Sequence, residues 1–71
     1  MKHNYINLEP KFKVGEIYED EFCRTLRFKH KGNLYEFEEV IYNEDRGKWI
    51  TIDKDIRLNT MEARHLKPLW N

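Results

Sequence analysis

The stretch that decides the fold is Phe22-Cys-Arg-Thr-Leu-Arg-Phe-Lys-His-Lys-Gly-Asn-Leu-Tyr-Glu-Phe-Glu-Glu-Val-Ile-Tyr42. Two runs rich in aromatic and β-branched residues, 22–29 and 34–42, flank His30-Lys31-Gly32-Asn33, the pattern of a β-hairpin. With Lys31 and Gly32 at the centre of the turn, and Gly32 taking positive φ, Phe28 faces Tyr35, Leu26 faces Phe37 and Phe22 faces Ile41. These side chains share one face because strands alternate. Arg24 meets Glu39 on that face, and on the other Arg27 meets Glu36 and Cys23 meets Val40. Each such pair contributes roughly 0.2–1 kcal/mol. The reading predicts a core of Phe22, Leu26, Phe28, Phe37 and Ile41. An amphipathic helix over 34–46 is the competing pattern, but β-branched and aromatic content and the flanking glycines favour strand.

Working outward, residues 11–19 read as a first strand with a bend at Gly15, followed by an acidic turn, Glu19-Asp20-Glu21. Beyond the hairpin, Asn43-Glu44-Asp45-Arg46-Gly47 reads as a turn and 48–53 as a fourth strand. Asp53-Lys54-Asp55 is expected to turn again into a short fifth strand, Ile56-Arg57-Leu58. Residues 59–64 suit one helical turn capped by Thr60, and His65-Leu-Lys-Pro-Leu69 closes the chain. The prolines, Pro10 and Pro68, bracket a block with no linker or repeat. The expected organisation is an N-terminal arm, 1–10, and one small domain, 11–71.

The run Trp49-Ile-Thr-Ile-Asp53-Lys-Asp-Ile-Arg-Leu58, followed by His65-Leu-Lys-Pro-Leu69, resembles the second half of a Tudor-type barrel. There a strand ends at an acidic turn, a short strand follows, and the chain closes on a Leu-basic-Pro-Leu segment. The resemblance implies an all-β fold: a small five-stranded SH3-like antiparallel barrel with one short helical turn before the last strand. The methyl-ligand site of that family is a cage of aromatic rings, for which Trp49, Tyr35 and Tyr42 supply candidates. A Src-homology-3 module carries an Ala-Leu-Tyr-Asp-Tyr segment and a tandem tryptophan. Both are missing here, so proline-rich ligands are not implied. The likeness is one of fold, and fold alone does not carry function.

Composition narrows the roles. The 13 Lys and Arg balance 13 Asp and Glu, which argues against both a strongly basic nucleic-acid footprint and an acidic DNA mimic. Ten aromatic side chains, 14% of the chain, point to a folded domain. No apolar run approaches the roughly 20 residues that span a bilayer, and Met1-Lys2-His3-Asn4-Tyr5 is not the apolar stretch of a signal peptide. A single cysteine, Cys23, fits a reducing compartment. The expectation is a cytoplasmic protein with no membrane partner.

No catalytic motif or glycine-rich phosphate loop occurs. The histidines and Cys23 have no metal-ligand spacing, and Glu16, Glu19, Asp20 and Glu21 do not form a calcium loop. A domain this small typically has about 3–5 kcal/mol in hand, little to spend on a strained site. No enzyme activity, metal or cofactor is therefore expected. Two basic sets remain: Arg24, Arg27, Lys29, His30 and Lys31, and Lys54, Arg57, Arg64, His65 and Lys67. Trp49 and Trp70 are expected near the second. Aromatic and arginine side chains together mark interface hot spots and single-strand nucleic-acid platforms.

The function expected is a non-enzymatic protein-binding module. Its compact size suggests a phage or mobile-element protein that binds and modulates or inhibits a host protein. The partner-binding residues expected are Trp70, Arg57, Arg64, His65 and Trp49, with Lys29, His30 and Lys31 as a second patch. A nucleic-acid-binding barrel using the C-terminal basic and aromatic surface is the alternative. A homodimer through an edge strand is a further arrangement the pattern allows.

Overall fold

A computed structural model describes residues 9–70. Most of the expected arm, 1–10, and Asn71 lie outside them. The elements are β1 (Ile17–Glu19), β2 (Thr25–Lys31), β3 (Tyr35–Asn43), β4 (Lys48–Leu58), α1 (Thr60–Ala63) and β5 (Lys67–Pro68). They form one antiparallel sheet in the order β4-β3-β2-β1-β5. The fold is the expected all-β one, with five strands and a helical turn before the last. The barrel, however, is not closed by hydrogen bonds: β4 and β5 are the two edges of the sheet.

The central hairpin forms, but in another register. Phe28 pairs with Phe37, Arg27 with Glu38 and Leu26 with Glu39, a slip of two residues from the expected pairing. The register shift between Phe28 and His30 lengthens β2 relative to β3, so that Lys31 pairs with Tyr35 across Gly32-Asn33-Leu34. A slip of two leaves every side chain on its original face, whereas a slip of one would invert them all. The hydrophobic pattern therefore tolerates it, and only the individual partners change. Gly32 does not take positive φ; Gly15 (φ 87), Gly47 (φ 65) and Cys23 (φ 66) do. Gly47 does so in the β3–β4 turn, where a glycine relieves the Cβ clash of that region.

The first strand is shorter than expected, because residues 13–16 turn: Glu16 N–H donates to the Lys13 carbonyl and Gly15 N–H to that of Phe28. Residues 48–58 form one continuous strand where two strands and a turn were expected. The acidic residues Asp53 and Asp55 are absorbed instead by register shifts against Glu39, with Asp55 N–H donating to Asp53 Oδ1 at 2.9 Å. The fifth strand is accordingly Lys67–Pro68, paired with β1; Pro68, lacking a donor, sits on an edge strand as it must. Asn59, not Thr60, caps α1. Its side chain accepts from Glu62 N–H at 2.8 Å while Glu62 accepts from Asn59 N–H at 2.9 Å, a reciprocal capping box.

The core lies on one face of the sheet: Tyr18, Leu26, Phe28, Tyr35, Phe37, Leu58 and Ala63, with Phe12, Ile56 and Leu66 packed against it. Phe12, from the segment before β1, stands 4.8–5.5 Å from the rings of Tyr18, Phe37, Phe28 and Tyr35. Such aromatic pairs add about 0.5–1.5 kcal/mol each beyond area burial. Leu26, Phe28 and Phe37 are buried as expected, whereas Phe22 is 78% and Ile41 48% exposed. Phe22 falls in the β1–β2 turn, and Ile41 lies where β3 runs on past the core.

Candidate docking surface

Direct cross-strand partners share a face, and neighbours along a strand oppose it. Tyr18 and Leu26 are partners on the core face, so Ile17, Arg27 and Glu38 stand together on the opposite, convex face. Val40, two residues past Glu38, belongs there too, with its partner Thr51 and the pair Tyr42 and Trp49. Ile17 and Val40 are buried although neither belongs to the main core.

Polar bonds knit this face across three strands. Arg27 Nε donates to Glu38 Oε2 at 3.0 Å, and the Thr51 hydroxyl donates to Glu38 Oε1 at 3.0 Å. Thr25 Oγ1 donates to the Val40 carbonyl. Burial pushes the Glu38 carboxyl up; the bonds from Arg27 and Thr51 outweigh it and hold the group below the usual carboxylate range.

Beside this network lies an aromatic strip. Tyr42 and Trp49 meet edge to face at 5.3 Å, and Trp49 meets Trp70 edge to face at 6.5 Å. Trp70 follows β5 by two residues, and Leu69 N–H donates to the Ile17 carbonyl at 3.1 Å, which carries the C-terminal segment along β1. The two edges of the sheet, left unjoined by hydrogen bonds, are thus bridged by tryptophan rings. Trp70 remains 63% and Tyr42 50% exposed.

Trp49 and Trp70 were expected beside the C-terminal basic residues; the structure brings the two rings into contact with each other and sets Arg57 apart from them. Arg57 lies eight residues beyond Trp49 on β4, about 26 Å along a strand. Arg64 is the C-cap of α1. The His65 Nδ1 lies 3.3 Å from a Glu21 carboxylate oxygen. In the second patch, Lys29 Nζ donates to the Lys54 carbonyl at 2.9 Å, His30 Nε2 lies 3.3 Å from Glu36, and Lys31 Nζ is 4.0 Å from Glu9 and 5.3 Å from the Tyr35 ring centre. Arg24, expected against Glu39, bonds Asp20 at 2.6 Å, and Arg27 bonds Glu38 instead of Glu36. Cys23 is exposed in the β1–β2 turn, away from Val40.

An aromatic cage of Trp49, Tyr35 and Tyr42 does not assemble. Tyr35 and Tyr42 are an odd number of residues apart on β3 and therefore oppose each other across the sheet. Tyr35 is buried in the core with its hydroxyl donating to Glu9 at 3.1 Å. Burial, with that bond, raises its pKa above the ordinary phenol value.

Several exposed apolar residues escaped sequence reasoning, among them Phe22, Ile41 and Ile52, the last 53% exposed. Phe22 stands on a rigid turn. Asp20 Oδ1 accepts from the Phe22 and Arg24 amides at 2.9 and 2.8 Å, and Asp20 Oδ2 from Arg24 Nε. An aspartate two residues before an aromatic, bonding its own backbone, was the available signal. Phe22 rims a shallow groove shared with Leu58, Glu62, His65 and Leu66. Among the described residues no three His, Cys, Asp or Glu side chains gather to hold a metal ion, and no helix is long and apolar enough to cross a membrane.

No family model matches the chain, and neither a curated protein nor a solved structure matches it.

Proposed function

We propose that this chain is a non-enzymatic module that docks on another protein through the strip Tyr42–Trp49–Trp70, as a small phage or mobile-element protein would to modulate or inhibit a host protein. The observation that carries the reading is the exposure of Trp70 and Tyr42 on either side of Trp49, at the seam between the sheet's two edges. Large, rigid aromatic side chains bury much area at low entropic cost and dominate interface energetics. The basic residues are interleaved with carboxylates or backbone acceptors: in the C-terminal set expected to serve nucleic acid, His65 with Glu21 and Arg57 with its cross-strand partner Glu36, and in the second patch His30 with Glu36, Lys31 with Glu9 and Lys29 with the Lys54 carbonyl. That arrangement supports the protein-docking reading over the nucleic-acid one.

The test is affinity capture from nuclease-treated lysate with a photo-crosslinker placed beside Trp70, comparing the natural chain with Trp70→Ala. A specific protein adduct that the variant loses while remaining folded is expected. Capture that vanishes with nuclease treatment, or that Trp70→Ala leaves unchanged, would overturn the reading.

A further inference from the structure

The opposite face of the β3–β4 hairpin is apolar as well. Ile41 and Ile50 are direct partners on the core side of the sheet, and Ile52 lies two residues beyond Ile50. The main core reaches no further than Phe37 on β3 and Ile56 on β4, so these isoleucines extend past it. Ile41 and Ile52 are about half exposed, and Ile50 is partly buried. A strand apolar on both faces is normally covered on both.

On the same face, Glu39 and Asp53 are direct cross-strand partners. Like charges placed opposite one another destabilise a sheet. Among the described residues neither carboxylate has a cation within ion-pair distance. Along the rim, β4 is the longest strand and a sheet edge, with no strand beyond it among the described residues. Its register shifts fall on either side of the Glu39–Asp53 pair, between Thr51 and Asp53 and between Asp53 and Ile56, so that Ile52 is the extra residue of one of them. Such irregularities blunt an edge, but they leave residues 48–51 regularly paired on β3 and, among the described residues, without a strand on the other side.

We propose that the open edge of β4 takes an extended segment of a partner protein as an additional antiparallel strand. Its apolar side chains cover Ile41, Ile50 and Ile52, and its lysine or arginine side chains meet Glu39 and Asp53. Antiparallel pairing sets the order of the segment: basic residues toward its N-terminus, apolar ones toward its C-terminus. The inference rests on the protein-docking reading and names the chemistry of the partner. Main-chain bonds would supply affinity, and the alternating side chains specificity.

The probe is a short fluorescent peptide with arginine at alternate positions of its N-terminal half and valine at alternate positions of its C-terminal half. A counterpart carries glutamate for arginine. Titrated against the full chain, the arginine peptide is expected to bind and the glutamate peptide not to. Glu39→Gln with Asp53→Asn should weaken binding about three- to fivefold per lost charge, and Ile52→Pro, which leaves the opposite face of the sheet untouched, should abolish it. Circular dichroism of each variant confirms the fold, and the glutamine and asparagine replacements keep the test open should the proline variant unfold.

Equal binding of both peptides, or no binding, overturns the proposal. So does sedimentation showing that the chain pairs with itself through this edge, or that removing Glu39 and Asp53 charge merely makes it self-associate; the acidic pair is then a guard against aggregation. If the peptides fail while Trp70→Ala still abolishes protein capture, this inference falls and the docking reading stands. If both fail, both fall.

Discussion

Trp70 is held by a ring contact with Trp49 and by the backbone bond of its neighbour Leu69 to Ile17, yet most of its own surface faces solvent. A tryptophan so placed has little burial to lose. Trp70→Ala is expected to lower stability by about 1 kcal/mol or less, far below the 3–5 kcal/mol of a buried aromatic, while partner affinity falls by about 2 kcal/mol or more. Chemical denaturation and the capture assay read the two effects separately. A stability loss of buried-aromatic size with unchanged capture would make Trp70 a cover for Ile17 and Val40.

Asp20 is the second decisive residue. Burial alone would raise its carboxyl pKa, but the Arg24 side chain and the Arg24 and Phe22 amides prevail and lower it from the ordinary 3.8. Glu38 is likewise lowered from 4.5. A depressed carboxylate contributes stability above its unfolded pKa, and that contribution is lost as pH falls through the folded value. Melting temperature should therefore hold from neutral pH down to about 5 and decline below about 4. Asp20→Asn should flatten the acid limb, keep the side-chain carbonyl for the turn, and lose the ion pair with Arg24. An unchanged acid limb would assign acid sensitivity elsewhere.

At the scale of the element, the central hairpin is set by its bulge rather than by its turn. The pairings Arg27–Glu38 and Arg24–Glu39 belong to different registers, so a double-mutant cycle on each decides between them. Arg27 and Glu38 are expected to couple by about 0.5–1 kcal/mol, since both are largely shielded and share Thr51. Arg24 and Glu39 should show no coupling, because Arg24 is engaged by Asp20. Coupling in the second pair and none in the first would restore the tighter hairpin.

The whole molecule depends on one small aromatic core. Leu26 is fully buried between Tyr18 and the rings of the cluster's central strands. Leu26→Ala is expected to cost about 2–4 kcal/mol. For a domain with about 3–5 kcal/mol in hand, most of the protein should then be unfolded at room temperature, as near-ultraviolet circular dichroism would report. An unchanged melting temperature would remove Leu26 from the core.

Fold class, the two strands of the central hairpin and the face of their core side chains were legible in the sequence. They follow from alternation, β-branched content and turn residues, which act over a few neighbours. Leu26, Phe28 and Phe37 were recognisable as core for that reason. Register was not, because Phe28 opposite Tyr35 and Phe28 opposite Phe37 satisfy the same apolar pattern. Only the bulge beyond Phe28, seated against β1 and β3, chooses between them. The same limit governs Asp53-Lys54-Asp55. Locally it reads as a turn, but pairing with β3 on both sides carries the strand through it. Trp49 and Trp70 could be singled out by type. That they meet, and that Arg57 stays at the far end of β4, depends on how far the sheet curls. The bend that brings its two edges together is a property of all five strands, written in no single segment.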